Sequence, residues 1–538
     1  MLSEVELLRE AGIIPLPSLQ DNEQKKKRKP TQAEQLIMLA HDAELFHDTE
    51  HKAYATFYVG SYRETWPLRG GGFRRWLLKR FWEEQRKAPS AQALQDALGV
   101  LEAKDCFEGQ ALPVFIRLAE LDGKIYLDLG NGAWEVVEVS PEGWRVINNA
   151  PVKFRRSKGM LSLPRPQAGG SLADLRNFIN VDSEEAWRLM VAWLVAALRP
   201  SGPYPVLVLQ GEQGSAKSTA AKVLRSLVDP NTAPLRTTPR EERDLAVAAN
   251  NSWVVSFDNL SSVPLWLSDA LCRVATGGGF ATRTLYENDE ETIFEYTRPI
   301  ILNGIDEVVY RHDLLDRSLI VTLPVIPDNQ RKDEKTFWAA FKKARPKILG
   351  ALLDAVATGL RNVDQVQLDR LPRMADFAKW VVAAEPALPW EAGGFMQAYD
   401  SKRIEAVKQA LEGDVVAVAV QSLLSDVESW TGTATTLLET LCDYIPEQTQ
   451  KTRAWPKTAR TLSNRIRRAA TFLRQVGVEI EFYREPGGNR KRLIRMNLNS
   501  SVPSVPSVPS VPEPQESLMP CAFKGWDDGT ALRDDEPF

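Results

Sequence analysis

The stretch Pro205–Thr219, PVLVLQGEQGSAKST, decides the fold. Its apolar run Val206–Leu209 is short enough for a buried strand and stops before Gly211. A segment rich in glycine and serine follows, and a helical pattern then runs through Val228. A strand, a glycine loop and a helix in this order form a phosphate-binding loop, because backbone N–H groups and the positive end of the helix converge on one anion.

The residues of this loop have predicted tasks. Gly211 and Gly214 let the backbone turn its N–H groups inward around a triphosphate. Lys217 can reach the β- and γ-phosphates, and Ser218 can hold Mg²⁺. Ala216 stands where the usual pattern has its last glycine, and alanine fits there if residue 216 is already helical. The predicted nucleotide-binding residues are Gly211, Gly214, Ser215, Ala216, Lys217, Ser218 and Thr219.

Length and composition indicate several globular domains. The chain has 538 residues, and its net charge of -4 gives no bulk electrostatic case for nucleic acid, so any such surface must be local. The 4 cysteines include no C-x-x-C pair, which argues against a zinc ribbon and suggests a reducing compartment. With no apolar signal core and no run of 18 apolar residues, we expect a cytoplasmic protein without membrane spans.

Further apolar runs predict a parallel sheet around the first strand. They are Trp253–Asp258, Pro299–Leu302 and Ser318–Leu323, and the apolar helix Glu184–Arg199 leads into the glycine loop. Strands that alternate with helical segments form parallel sheets whose ligands lie at the carboxyl ends. Asp258 ends the second strand, where a carboxylate would orient Mg²⁺.

The chain divides into six predicted segments. They are a polar N-terminal segment (1–33), a mixed α+β domain (34–166), an ATPase domain (167–330), a helical lid or connector (331–428), a winged-helix unit (429–499) and a disordered tail rich in Ser-Val-Pro (500–538).

The N-terminal region gives weaker signals. Phe73–Trp82 predicts an amphipathic helix, and alternation over Val114–Phe154 predicts a small antiparallel sheet. Neighbouring basic residues could touch DNA or form an ordinary solvated face, and the sequence leaves both open. His47 and His51 fit an H-x-x-E-H pattern, but with no third ligand evident a polar surface segment is favoured over a metal site.

The C-terminal unit predicts a DNA-binding surface. The helix Lys457–Val476 has one apolar face and one basic face, and two predicted strands follow around a Pro-Gly-Gly-Asn turn. A winged helix presents such a surface to a duplex. The alternative is a solvated helix on a helical bundle. The predicted DNA-contacting residues here are Arg460, Arg467, Arg468, Arg474, Arg490, Lys491 and Arg492.

The segment Cys272–Gly304 resembles the superfamily 3 helicases, the AAA+-like replicative motors of viruses, phages and plasmids. Their extra motif has paired glycines, a basic residue, a Leu-Tyr stretch and a strand that ends in Asn. Here Gly277–Gly279, Arg283, Leu285–Glu287 and Asn303 stand in those places. The resemblance covers about residues 200–500 and implies an α/β P-loop NTPase core that hydrolyses ATP with Mg²⁺.

The resemblance also implies roles for single residues. Asp258 would orient Mg²⁺ and its water, and Asn303 would sense the γ-phosphate. Arg317 would act on a neighbouring subunit as an arginine finger, with Arg311 in reserve. Arg283 would lie on a pore hairpin that grips single-stranded DNA. A ring, most simply a hexamer, follows from an active site shared between subunits.

One position departs from this pattern. The family has a second acidic residue beside the strand-end aspartate, and here that position is Asn259. Glu212, Glu241 or Glu242 could replace the missing carboxylate, Asn259 could position water itself, or hydrolysis could be slow.

Two functions follow for this sequence. The first is an ATP-dependent DNA translocase or helicase that starts replication of a phage or mobile element. The second is an ATP-gated DNA-binding initiator or helicase-loading scaffold with little hydrolysis. A small-molecule kinase would not explain a basic C-terminal unit, and no pair of acidic residues on adjacent strands supports primer synthesis.

Overall fold

The computed structural model describes residues 29–278, 280–283, 291–294, 296–305, 309, 311–452, 454–485 and 491–499, and the chain has a mixed α/β fold. The helices are α1 (Gln32–Leu39), α2 (Gly71–Gln85), α3 (Ala91–Glu108), α4 (Glu184–Ala197), α5 (Lys217–Val228), α6 (Glu242–Asn251), α7 (Leu265–Thr276), α8 (His312–Leu315), α9 (Glu334–Asn362), α10 (Ala375–Ala384), α11 (Gly394–Glu412), α12 (Val415–Val427), α13 (Ala434–Cys442), α14 (Glu447–Gln450) and α15 (Ala459–Gln475).

The strands follow the same chain order. They are β1 (Glu44–His47), β2 (Ala53–Val59), β3 (Tyr62–Pro67), β4 (Gln110–Ala111), β5 (Val114–Phe115), β6 (Leu118–Leu121), β7 (Lys124–Asp128), β8 (Val136–Ser140), β9 (Gly143–Ile147), β10 (Lys153–Phe154), β11 (Val206–Gln210), β12 (Val255–Leu260), β13 (Phe280–Arg283), β14 (Glu291–Phe294), β15 (Ile300–Gly304), β16 (Ser318–Thr322), β17 (Ser429–Gly432), β18 (Val478–Arg484) and β19 (Arg492–Leu498).

The predicted parallel sheet is present, in the order β12-β15-β11-β16. Its central strand β11 is buried along Val206–Leu209, which fits an apolar run without alternation, because helices cover both faces of a parallel sheet. Beyond β12, Arg236 makes an isolated parallel bridge with Phe257. The carboxyl ends of all four strands therefore meet at one edge, next to the loop between β11 and α5.

Two four-stranded sheets lie in the N-terminal region, beside a two-stranded parallel pair of β5 and β10. One has the order β3-β2-β1-β4, and its hydrophobic core is completed by α1, α2 and α3. The other is an antiparallel meander, β6-β7-β8-β9, which confirms the sheet predicted within Val114–Phe154. Its apolar face joins the core formed by α4 and α9, since Val137 and Val139 pack in one cluster with Trp187 and Leu352.

The meander is also tied to the parallel sheet by buried charge. The Arg117 side chain is fully buried, and its Nε lies 3.1 Å from Asp229 Oδ1 at the end of α5. The second oxygen of Asp229 accepts the backbone N–H groups of Trp253 at 2.9 Å and Val254 at 3.2 Å, just before β12. The helix after the glycine loop is therefore fixed to both sheets.

The C-terminal unit packs α15 against a three-stranded antiparallel sheet, β17-β19-β18. The side chains Leu462, Ile466, Ala469 and Leu473 are buried on α15, as the pattern predicted. Strand β17 was not predicted. No helix within the described ranges is both long and apolar enough to cross a membrane.

Candidate functional site

The loop between β11 and α5 is shaped by glycines with positive φ. Gly211 has φ 146° and Gly214 has φ 88°. A Cβ atom added to Gly211 would lie 2.5 Å from the carbonyl oxygen of Leu323, on the strand next to β11. These two positions therefore require glycine, as the sequence pattern predicted.

Ala216 does not meet the condition under which alanine would fit. Its backbone has φ 62° and ψ 30°, the left-handed conformation, and it caps the N-terminus of α5 instead of belonging to it. This left-handed turn from the loop into the helix is what the usual glycine provides. Alanine in this conformation costs about 1–2 kcal/mol relative to the right-handed region.

Lys217 lies against the inside of the loop. Its Nζ donates to the carbonyl oxygens of Gly211 at 2.7 Å and Glu212 at 2.8 Å, and lies 3.3 Å from the hydroxyl of Ser215. Burial lowers the pKa of Lys217, and the nearby Asp258 carboxylate opposes that shift. The ammonium group is thus held by carbonyl oxygens of the loop.

Ser218 and Asp258 come together as the sequence predicted. The Ser218 hydroxyl donates to Asp258 Oδ1 at 2.9 Å. Ser218 lies in the first turn of α5, and Asp258 lies near the carboxyl end of β12. The two side chains meet because the start of the helix lies next to the end of the strand. A hydroxyl and a carboxylate at this spacing are ligands of the kind that Mg²⁺ prefers.

Asn259 and Asn303 form a second polar contact at this edge. The backbone N–H of Asn259 donates to Asn303 Oδ1 at 2.8 Å. Asn303 is 1% exposed, and its Nδ2 has no hydrogen-bond partner among the described residues. Asn259 has φ 55°, a left-handed conformation that asparagine tolerates better than other polar residues. The backbone geometry therefore gives a reason for asparagine here.

The three candidate substitutes for a second carboxylate differ in their surroundings. Glu212 is exposed on the loop, and Glu241 precedes the first residue of α6. Glu242 pairs with Arg273 at 2.7 Å. The structure gives no contact between any of the three and Asp258.

The two candidate arginine fingers both pair with acidic residues of their own chain. Arg317 hydrogen-bonds the Asp313 carboxylate and lies 2.9 Å from the Asp313 carbonyl oxygen. Arg311 donates to Asp269 at 3.0 Å and to the carbonyl oxygen of Leu265 at 3.3 Å. Neither reaches the glycine loop of the same chain through any contact in the described residues.

Sequence reasoning missed the residues that border the loop from outside. Asn180 donates through Nδ2 to the carbonyl oxygens of Ser215 at 3.2 Å and Pro324 at 2.5 Å. A Cβ atom on Gly214 would lie 3.5 Å from Arg331 Nη2. Both residues come from segments without a recognisable motif, so only the folded chain brings them to the loop.

The basic face of α15 is open to solvent. Its predicted members Arg460, Arg467, Arg468 and Arg474 are all exposed. The guanidinium of Arg467 lies 3.9 Å from the ring centroid of Phe482 on β18, which orients this side chain beside the hairpin.

The structure describes only some of the other residues that were predicted to contact DNA. Lys491 and Arg492 are exposed at the start of β19, and Arg490 lies outside the described residues. The backbone of Arg283 ends β13, which pairs with β14. Its side chain is not among those described.

The two histidines of the H-x-x-E-H pattern do not lie on a helix. His47 ends β1, and its ring stacks on that of His51 with the centroids 5.0 Å apart. Because His47 is 7% exposed, the prediction of a polar surface segment is partly wrong. No group of three histidine, cysteine or acidic residues in the described segments could hold a metal ion.

Fold and site together describe a mixed α/β protein with a glycine loop at the carboxyl edge of a parallel sheet. Residues 170–401 match a family model described as the actinomycete integrative conjugative element replication protein. Residues 416–510 match a model described as the AICE RepA C-terminal domain. Both matches indicate a replication protein family of a mobile element, which confirms our expectation in this coarser form. No curated protein matches the chain.

Similar solved structures are distant in sequence. The A-form apo structure of the NrS-1 C-terminal region has 11% identity and a TM-score of 0.38, covering 88% of this chain and 100% of that chain. The JCV helicase with a bound acetamide compound has 15% identity and a TM-score of 0.21, covering 38% of this chain and 62% of that chain. Both TM-scores are low, so neither likeness assigns an activity to this chain.

Proposed function

We propose that the chain is an ATP-dependent DNA translocase or helicase that replicates a mobile element. ATP is hydrolysed between subunits of a ring, most simply a hexamer. In this proposal the region around β11 and α5 is an AAA+-like P-loop core of the superfamily 3 kind.

The contact between Ser218 and Asp258 is the observation that carries this proposal. It joins the first turn of α5 to the end of β12 at 2.9 Å, beside a loop in which Gly211 has no room for a side chain. P-loop NTPases hold Mg²⁺ with such a hydroxyl and carboxylate. The donor set therefore fits Mg²⁺, which when bound would neutralise charge on the β- and γ-phosphates.

The loop residues bind the triphosphate of ATP. Lys217 contacts the phosphates from the position that its loop contacts define, and the N-terminus of α5 adds its positive end. Asn303 orients the attacking water through its Nδ2, because its Oδ1 is already held by the N–H of Asn259. Arg317 acts on the site of a neighbouring subunit, with Arg311 as the reserve.

DNA binds at two places in this proposal. The exposed basic face of α15 and the hairpin of β18 and β19 form a winged helix that contacts a duplex. Arg283, on the β13–β14 hairpin, contacts a single strand in the ring pore. The exposure of the α15 arginines supports the first contact.

The second candidate function is an ATP-gated initiator or helicase-loading scaffold that barely hydrolyses ATP. Asn259 favours it, because an amide cannot accept a proton from the attacking water as a carboxylate can.

Binding of a fluorescent ATP analogue, with and without Mg²⁺, tests the nucleotide site. Lys217→Ala is expected to weaken binding at least about tenfold, since it removes the charge that faces the phosphates. Ser218→Ala is expected to reduce the gain in affinity that Mg²⁺ gives. Ser226→Ala is the matched control, because this serine lies on the same helix and its hydroxyl donates to the carbonyl oxygen of Val223, away from the loop. Equal affinities for Lys217→Ala and the control would contradict the nucleotide site.

A further inference from the structure

We propose that Arg373 and Asp316 position Arg317 for its action on the neighbouring subunit. This inference rests on the proposed function and adds to it a link between the helical region and the arginine finger. It is carried by a chain of ion pairs that leads from α11 to the turn between α8 and β16.

Arg317 is held at one end of this chain. Its side chain is 17% exposed, and its guanidinium shares the Asp313 carboxylate with a second arginine. That second arginine is Arg373, whose Nη2 lies 3.0 Å from Asp313 Oδ1. One carboxylate oxygen therefore accepts from both guanidinium groups.

Arg373 bridges two carboxylates. While its Nη2 contacts Asp313, its Nη1 lies 2.9 Å from Asp316 Oδ2. A planar guanidinium can span two acceptors in this way, whereas a lysine ammonium is a single point charge. Burial raises the pKa of Asp313, but the hydrogen bond from Arg317 and the charges of Arg317 and Arg373 bring that pKa below its usual value.

Asp316 anchors the far end. Its side chain is 6% exposed, and its Oδ1 accepts from Arg403 on α11 at 2.5 Å. A carboxylate buried this deeply is stabilised by paired cations, and here both come from the helical region. A movement of α11 or of the segment before α10 is therefore transmitted to the residues that hold Arg317.

This arrangement limits how tightly Arg317 is held. Because Arg373 shares the charge of Asp313, Arg317 keeps donors available for a phosphate of the adjacent subunit. Without Arg373, Asp313 keeps Arg317 as its cationic partner beside the Cys272 side chain, and the finger is held in its own subunit. Turnover then falls while the nucleotide site of the same subunit is unchanged.

Steady-state ATP hydrolysis tests the inference. Arg373→Ala is expected to lower kcat by about 10- to 100-fold with an unchanged KM, the size of effect that a misplaced catalytic group produces. Arg373→Lys is expected to recover only part of this loss. Arg370→Ala is the matched control, because Arg370 lies in the same segment, is 62% exposed and pairs with Asp400 at 3.6 Å. Its kcat is expected to stay within about twofold of the parent.

Mixed rings separate positioning from a general structural effect. Lys217→Ala subunits lack the phosphate contact but still offer Arg317, so mixing them with Arg317→Ala subunits restores shared active sites. If Arg373 positions the finger, Arg373→Ala subunits are also restored by Lys217→Ala subunits, and Arg317→Ala subunits do not restore them.

The outcomes distinguish two failures. If Arg317→Ala loses turnover but Arg373→Ala matches the Arg370→Ala control, the positioning inference is overturned and the proposed function stands. If Arg373→Ala raises KM instead of lowering kcat, the inference is likewise overturned. If Arg317→Ala keeps full turnover, or the parent chain has none, Arg317 does not act as an arginine finger. The positioning inference is then overturned together with that part of the proposed function.

Discussion

Ala216 determines how the glycine loop meets α5. Its left-handed backbone places a side chain where most phosphate-binding loops have glycine. From the sequence, alanine fits there only if residue 216 is helical, and the structure does not meet this condition because the turn precedes the first helical residue. The loop therefore carries local strain that the neighbouring packing must hold.

Replacing Ala216 with glycine is expected to relieve this strain. The left-handed region is free for glycine, so the free energy of unfolding should rise by about 0.5–1 kcal/mol after the entropy of the unfolded chain is counted. Urea denaturation followed by tryptophan fluorescence measures the change. Ala216→Val is the opposite case, since a β-branched residue resists positive φ. A valine variant as stable as the parent would contradict the assigned backbone conformation.

Asp105 gives a pH dependence that is independent of the glycine loop. It lies on α3 and is 1% exposed, and burial raises its pKa to about 6, partly opposed by the charge of His47 and a backbone contact with Tyr54. The folded pKa exceeds the unfolded value of 3.8, so the protonated form is favoured in the folded chain. The resulting stability is present below about pH 4 and is lost as the pH rises through 6.

Asp105→Asn is therefore expected to stabilise the chain at pH 7 by about 1–2 kcal/mol and to have little effect at pH 4. Thermal unfolding of both forms across that interval measures the difference. A stabilisation that stays constant between pH 4 and pH 7 would show that ionisation of this carboxyl is not its cause.

At the scale of elements, α5 is fixed at its far end by buried charge. Besides Asp229, Arg117 reaches the carbonyl oxygens of Asp128 and Leu161, each at 2.8 Å. Residues 117 and 229 are far apart in the chain, and nothing in either local sequence marks them as partners. The meander is thus joined to the end of the helix whose N-terminus forms the candidate nucleotide site.

Arg117→Ala is expected to lower the free energy of unfolding by about 3 kcal/mol, because Asp229 Oδ1 loses its hydrogen bond and only Arg225, 3.9 Å from Oδ2, remains as a buried cation. Arg145→Ala is a control on the same meander, since Arg145 is 70% exposed and pairs with Glu138 at 2.7 Å. Glu138 is only 10% exposed, but it keeps Lys124 at 3.6 Å when Arg145 is removed, so we expect a loss of only about 1 kcal/mol. Urea denaturation measures the free energy of unfolding of both variants. An equal decrease in both would contradict a larger contribution from the buried pair.

The basic face of α15 belongs to the same scale. Arg468→Ala is expected to weaken duplex DNA binding at all sequences and to reduce the slope of log affinity against log salt by about 1, as a single phosphate contact would. Lys451→Ala is the control, because Lys451 follows α14 and is 79% exposed. Fluorescence anisotropy over a salt series measures both. An unchanged slope for Arg468→Ala would favour the solvated-helix alternative.

Local patterns predicted most elements because their packing faces are written in short stretches. The buried strand β11 and the apolar face of α15 follow from spacing alone. Strand β17, SWTG, has no apolar alternation and exists only because β19 pairs with it. Likewise, Asn180 and Arg331 reach the glycine loop only through tertiary packing, so no local signal could have placed them there.

At the scale of the whole molecule, residues of the N-terminal meander, the parallel sheet and the helical region share one hydrophobic core. The meander reaches α5 through Arg117, and the helical region reaches the turn after α8 through Arg373 and Arg403. The C-terminal unit packs with α12 in the core that contains part of the parallel sheet. The strand before the proposed nucleotide site and the helix of the proposed DNA surface thus share one packed core.

The measurement that tests the central claim most directly is ATP hydrolysis with and without single-stranded DNA. We expect turnover that DNA stimulates, that Lys217→Ala abolishes and that Arg317→Ala abolishes without loss of nucleotide binding. Such a result would support a ring motor whose sites are shared between subunits. An ATP analogue that binds normally while turnover stays at the Lys217→Ala level would contradict the motor and favour the ATP-gated scaffold.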